Sequence, residues 1–318
     1  MARSPRAVVD EPSRIDRLFG AATTASGLLV LVLLVLVGYF LFLRAGDAFD
    51  VAGWSFFTTE KWRTDVDPPE IGVLGLVSGT VVVAIIAVVI AVPLGTCAAL
   101  FISEYATGRW RSLLTALVDL LAAIPSLLYG LWGFLLLAYE IEPLSEWLGR
   151  HLDWIPIFRT DADAELTGSM LIAGTVVSLM VLPIVASVSR EVFTQTPPGE
   201  KEAALALGGT RWGMIRTVVL PFGRGGIIGG SMLGLGRALG ETIAVSLLLP
   251  QIPEVTFRVL ENGGATVSGF IARRAGGGEF NTSALMAAGL VLFGMTLLTN
   301  MLASVIIARS RSGAGVEI

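Results

Sequence analysis

Hydrophobic residues in this chain gather into long, nearly uninterrupted stretches, with the charges collected between them. Crossing the hydrocarbon core as a helix takes about 20 mostly apolar residues. Six stretches meet that length, near 21–43, 72–102, 112–139, 168–189, 217–249 and 282–308. Several exceed it and are expected to tilt, bend or extend past the lipid. Arg14 and Arg17 precede the first, as in a secretory signal. Its apolar core from Leu28 to Leu43 is too long for one, and no small-residue cleavage site follows before Arg44. It reads as a retained anchor helix. The pattern predicts an all-α, polytopic membrane protein with six transmembrane helices. Residues 1–70 hold a terminal tail, the first span and the first outer loop; residues 71–318 hold the main transmembrane domain.

Composition agrees. Of 318 residues 54% are hydrophobic and 15% charged, with a mean hydropathy of +0.76, against roughly 25% charged residues in ordinary soluble domains. A soluble enzyme, a disordered protein and a nucleic-acid binder are excluded. One cysteine, Cys97, rules out an intramolecular disulfide. One histidine, His151, leaves no ligand set for zinc or an iron–sulfur cluster. Cys97 is expected to be a buried structural thiol and His151 a surface residue of a polar loop. No cofactor is expected.

Lysine and arginine counts orient the spans. With the N-terminus inside, the cytoplasmic segments carry 12 of the 22 bases: Arg3, Arg6, Arg14, Arg17, Arg109, Arg111, Arg190, Lys201, Arg211, Arg216, Arg309 and Arg311. The longer outer loops, near 44–71, 140–167 and 250–281, carry 8, and Arg224 and Arg237 fall inside the fifth span. Both termini are therefore expected in the cytoplasm. Adding the acids, which include Asp10, Glu11 and Glu317 at the termini, the formal charge of -4 divides into +4 inside, zero within the spans and -8 outside. An acidic outer face repels anions. The loop aromatics Trp54, Phe56, Phe57, Trp62, Trp147 and Trp154 are expected to settle at the headgroup level.

Nucleotide hydrolysis has no support. Both lysines, Lys61 and Lys201, follow glutamate, so no Gly-Lys-Ser/Thr phosphate loop exists. Gly234, Gly236 and Gly240 have the wrong spacing for a dinucleotide fingerprint and no strand before them.

Between the fourth and fifth spans, residues 197–209 read Pro-Pro-Gly-Glu-Lys-Glu-Ala-Ala-Leu-Ala-Leu-Gly-Gly. Thr196 is a candidate N-cap, the prolines suit a first turn, and Glu200 and Glu202 face the positive end of the dipole. Gly208 and Gly209 stop the helix. A short capped helix between two spans has little of its own chain to pack on, and an external partner explains it. Glu202, Ala203, Ala204, Gly208, Val218, Leu220 and Pro221 resemble the EAA signature of ABC-importer permeases, EAA-x3-G-x9-I-x-L-P, with Val218 in place of isoleucine. The resemblance implies that the loop 196–221 docks on a cytoplasmic ATPase subunit and transmits its closure to the spans.

In the fifth span Gly226, Gly230 and Gly234 recur every four residues on one helix face, a spacing that lets helices approach closely in lipid. They pack either within the chain or at a subunit interface. Arg237 and Glu241 are four apart and so neighbours on a helix surface. Ionisable groups at membrane depth cost about 2.5–3.5 kcal/mol each on insertion scales and usually face a pathway or a partner; here they line a pathway or simply neutralise each other. A guanidinium offers a planar fork suited to a tetrahedral oxyanion, and a nearby carboxylate weakens that hold enough for release. Asp119 is a further acid, in the third span, available to balance Arg237 or Arg224.

Gly236-Arg237-Ala238-Leu239-Gly240-Glu241-Thr242 resembles the R-A-x-G-E-T stretch of phosphate-importer permeases, and residues 124–133 resemble the same family's I-P-S-x-x-Y-G-[FL]-x-G element. Gly-Glu-Thr-Ile-Ala-Val at 240–245, with the N-terminal extension, is similar to the PstC type rather than the PstA type. Together these cover roughly 71–308. They imply a type I ABC importer permease forming half of a phosphate pathway, with Arg237, Glu241, Thr242, Arg224 and Asp119 along it. They also imply a PstA-like second permease, two copies of a PstB-like ATPase and a PstS-like extracytoplasmic binding protein. Permeases for molybdate, sulfate or phosphonate, or a stand-alone secondary transporter, are the alternatives. Pro125 is expected to break the third span. Arg273 and Arg274, beside Gly276–Gly278, either attract phosphate or sit in a flexible solvated loop.

Overall fold

The computed structural model describes residues 14–161 and 163–310. The terminal charges counted above (Arg3, Arg6, Asp10, Glu11, Arg311, Glu317) lie outside the described residues. Most of the described residues are helical. α1 (Arg14–Arg44) leads into two short helices, α2 (Gly46–Ala52) and α3 (Ser55–Thr58). A two-residue antiparallel ribbon follows, Trp62–Arg63 on Glu70–Ile71. α4 (Leu74–Leu100) ends in a π-helical turn, Phe101–Tyr105. α5 (Gly108–Ala123) stops before Pro125, and α6 (Ser126–Trp132) resumes. It continues through a π turn, Gly133–Leu137, into α7 (Ala138–His151). α8 (Met170–Thr194) precedes α9 (Pro198–Ala206) and α10 (Arg211–Met214). A third π turn, Ile215–Val219, leads to α11 (Leu220–Gly240). α12 (Ile243–Leu248), α13 (Val267–Arg274) and α14 (Glu279–Ser310) complete the chain.

Six helical stretches among the described residues are long and apolar enough to cross a membrane: Arg14–Arg44, Leu74–Tyr105, Ser126–His151, Met170–Thr194, Arg211–Gly240 and Glu279–Ile307. Two differ from the hydropathy reading. The third begins at Ser126 rather than 112, because Ile124 and Pro125 are extended (ψ 129° and 140°) and proline restricts the residue before it. α5, with Arg109, Arg111 and Asp119, is thereby a separate helix. The fifth ends at Gly240 rather than 249, because Glu241 is extended (φ -65°, ψ 128°).

α8 forms the centre of the bundle, packed along α4, α11 and α5. The glycine face of α11 meets it: a Cβ on Gly226 would strike Val192, one on Gly230 would press on Val185 and Val188, and one on Gly234 would strike Val181. These valines stand three or four apart on α8, so the two helices approach without larger side chains between them. The glycines that left chain or subunit packing open thus pack within the chain.

The end of the bundle where α4 starts carries a second core. Ala45, Phe56, Trp62, Ile71, Leu76, Val267, Phe270 and Leu285 are buried together. Phe56 (0% exposed) and Trp62 (6% exposed) are therefore core residues, not headgroup anchors; the ribbon and α3 fold them inward, and Trp62 meets Phe270 edge-on at 5.0 Å. Trp54, Trp147 and Trp154 are exposed and so free to act as interfacial anchors. Cys97 is exposed on α4 rather than buried, since the helix turns its small residues Gly95 and Ala99 toward the interior instead. His151 is exposed but ends α7 rather than lying in a loop, and its ring stacks on Trp147 at 4.8 Å.

Candidate functional site

Two interrupted helices meet against α8. α6, which follows the Ile124–Pro125 break, packs on α12, which follows the Gly240–Thr242 break. The contact needs glycine: a Cβ on Gly130 would stand 2.7 Å from the Ala244 Cα; Gly133, in the π turn that follows, leaves room for Val176 of α8, whose methyl a Cβ would meet at 2.6 Å. Each break frees backbone groups that lipid cannot satisfy. At the first, the Tyr129 hydroxyl donates to the Leu121 carbonyl at 3.0 Å. At the second, the Ala244 N–H donates to Glu241 Oε1 at 3.3 Å, Thr242 Oγ1 donates to the Gly240 carbonyl at 3.1 Å, and Ser268 Oγ donates to the Glu241 carbonyl at 2.5 Å.

This changes the reading of Arg237 and Glu241. Side chains four apart are neighbours only while the helix continues. Glu241 lies past its end, 8% exposed, with its carboxylate turned into the first turn of α12. Arg237, in the last turn of α11, remains exposed on the chain surface and has no carboxylate partner among the described residues. An unpaired guanidinium beside two interrupted helices has its donor fork available to an anion.

The other acids and bases separate. Asp119 pairs with neither Arg237 nor Arg224. It is an exposed residue of α5, 3.7 Å from Arg190 Nη2 and 3.5 Å from the donating Ser187 hydroxyl, because α5 packs on α8 rather than α11. Arg190, counted in the sequence as a loop base, belongs to α8, with a side chain 17% exposed. Arg224 is exposed near the start of α11, nearly four turns from Arg237. Arg273 and Arg274 end α13 rather than lying in a flexible loop. Arg274 stacks over Phe270 at 5.0 Å, and Arg273 lines an open cavity of about 350 Å³ with Tyr139, Thr167, Asn262 and Pro250. In the loop before α13, Arg258 binds Asp161 (2.5 Å) and Glu261 (3.1 Å). The hydrogen bond to Asp161, aided by the Glu261 charge, holds it more firmly protonated than a free arginine.

At the far end of α4, the 196–221 segment forms a second candidate site. α9 starts at Pro198, and Thr196 does not cap it; its buried hydroxyl has no partner among the described residues, and Pro197 stands at the cap position instead. The helix stops as expected. Gly208 takes φ +85°, its N–H donates to the Leu205 carbonyl at 3.0 Å, and the Gly209 N–H donates to the Ala204 carbonyl at 3.2 Å. This is a Schellman cap, which favours glycine at the left-handed position. Ala204 rests on a small core of Ala99, Phe193, Met214, Ile215 and Val219, joined by Leu220. So α9 does pack on its own chain, on one side. Its other side leaves Glu202, Ala203, Leu205 and Leu207 exposed, Leu207 at 90%. Pro221 sits in the first turn of α11. The sequence passed over Lys201, whose Nζ stands 2.6 Å from Glu104 Oε1 on the π turn that ends α4. The preceding-glutamate pattern that excluded a phosphate loop carried no signal for that pairing.

Residues 91–312 match the family described as "Binding-protein-dependent transport system inner membrane component". "Phosphate transport system permease protein PstC 2" of Mycobacterium tuberculosis is 42% identical over 300 residues, 92% of each chain. "Phosphate transport system permease protein PstC" of Mycobacterium leprae is 41% identical over 311 residues, 96% of this chain and 95% of that one. A bacterial ABC transporter "involved in the import of the acidic polysaccharide alginate" contains a chain of the same fold, with a TM-score of 0.55 at 17% identity over 92% of this chain and 99% of that one. This chain therefore belongs to the inner-membrane components of binding-protein-dependent transport systems, in the PstC group, and is a multi-pass membrane permease.

Proposed function

We propose that this chain is a transmembrane permease subunit of an ATP-driven phosphate importer and forms half of its pathway. The substrate assignment rests on the phosphate permeases it resembles and on Arg237. That guanidinium, without a carboxylate partner among the described residues, stands where two interrupted helices meet. A tetrahedral oxyanion matches its planar donor fork. Glu241, turned aside into α12, offsets the charge without closing off the fork, which favours passage over retention. Thr242 lies beside it at the same break, while Arg224 and Asp119 stand on exposed faces farther along.

The exposed side of α9 and the loop 196–221 receive a PstB-like ATPase, present in two copies. A PstA-like permease completes the pathway, and a PstS-like binding protein delivers phosphate to the opposite, acidic end. Both termini lie in the cytoplasm, on the side with more lysine and arginine. The chain makes no covalent change to its substrate; ATP is hydrolysed on the separate subunits.

Reconstituting the chain with those three partners in vesicles tests the reading. Phosphate stimulates ATP turnover and accumulates; sulfate and molybdate do neither. Stimulation by sulfate or molybdate would move the chain to another oxyanion, and transport without any ATPase would remove it from ATP-driven import.

A further inference from the structure

We infer that the half-buried Lys201–Glu104 ion pair is a mechanical strut that makes α4 the rod carrying ATPase closure from α9 to the opposite end of the bundle. The inference rests on the proposed function and adds positioning residues to it. Lys201 Nζ lies 2.6 Å from Glu104 Oε1, with side chains 21% and 6% exposed, so the pair is screened little by water. A second clamp stands beside it. Arg211, at the start of α10, lies over the Tyr105 ring at 5.1 Å, and Tyr105 stacks on Phe101. Both sides of the α9–α10 turn thus grip one five-residue π turn, Phe101–Tyr105. Such turns place strain and adjustability at functional positions.

From that turn α4 runs as one helix, with Pro93 inside it, to Leu74, about 40 Å at 1.5 Å per residue. Its first turns are seated on backbone at the other end. A Cβ on Gly75 would enter the Pro253 carbonyl and one on Gly79 the Ala265 carbonyl, while Thr80 Oγ1 accepts the Val267 N–H at 2.9 Å. α9 cannot shift relative to the bundle without dragging this rod or separating two charges of which one is almost wholly buried. The latter is costly. The loop 250–266 and α13, which sit on the far end of α4, move with it; Ser268 of α13 holds the Glu241 carbonyl.

The test is a coupling ratio in the reconstituted four-component importer: phosphate accumulated per ATP hydrolysed. Glu104→Gln keeps a hydrogen-bond acceptor and removes the charge. It is expected to leave the complex assembled and ATP turnover within about twofold, while the ratio falls about tenfold. Lys201→Met is expected to give the same ratio, and the exchange Glu104→Lys with Lys201→Glu to restore at least half of it. Because each single variant also perturbs a half-buried site, melting of the purified complex is measured alongside. An unchanged ratio in Glu104→Gln, or uptake and ATP turnover falling in parallel, overturns the strut. A wild-type complex that neither hydrolyses ATP nor accumulates phosphate overturns the function on which it rests, and is distinguishable by that control.

Discussion

α1 and α4 are equally apolar, yet no residue of α1 is buried and ten residues of α4 are. Seven of those ten are glycine or alanine: Gly75, Gly79, Ala84, Ala87, Ala91, Gly95 and Ala99. From Leu28 to Leu43, α1 holds a single small residue, Gly38, and there it touches α14, where a Cβ would press on Phe293 at 3.0 Å. In lipid the hydrophobic effect gives one span no reason to leave the surface, since the tails are as apolar as leucine; close backbone approach does. A span's place in the bundle is therefore written in its small residues rather than in its hydropathy.

Two pairs of substitutions and one single change sharpen that contrast, read as shifts in the unfolding midpoint of the purified protein in detergent. The largest effect is expected among the aromatics at the α1–α4 junction. Trp62→Ala empties the core shared with Leu76 and Phe270 and costs about 3–5 kcal/mol. Trp54→Ala, at an exposed site, stays within about 0.5 kcal/mol. Equal shifts would mean that the two loops are alike after all. Next comes Gly79→Ala on α4, whose Cβ meets the Ala265 carbonyl and costs about 1–3 kcal/mol, against a negligible shift for Gly27→Ala on α1, where nothing lies within 4 Å. A silent Gly79→Ala would break the comparison. The smallest concerns conformation instead of packing. Gly208→Ala has open space but a φ of +85°, and costs about 1 kcal/mol through the α9 cap; ATPase association should weaken in proportion.

Much of this was legible in the sequence. Length and hydropathy located the six spans, and the Pro-Pro start and Gly-Gly stop framed α9 within a residue or two. The Gly226–Gly230–Gly234 repeat marked a close helix contact, although only the valines 181, 185, 188 and 192 on α8 identified its partner. What was illegible has a common cause. Helical spacing predicts neighbours only where the helix persists, so the Gly240–Thr242 break separated Arg237 from Glu241. The fate of Asp119 depended on which helix α5 packs against. Trp62 and Phe56 read as interfacial because aromatic loops usually are, and their burial required a ribbon of two residues per strand that leaves almost no pattern. Lys201 and Glu104 are 97 residues apart, beyond any local rule.

The central claim is that the unpaired guanidinium at the crossing of the broken helices recognises the transported anion. Phosphate uptake by vesicles carrying the assembled importer with Arg237→Gln tests it most directly. Losing charge-assisted hydrogen bonds worth about 1.5–3 kcal/mol lowers uptake by about ten- to a hundredfold, with the complex still assembled. Uptake at the wild-type rate would make Arg237 a structural residue and leave the phosphate assignment without its physical basis.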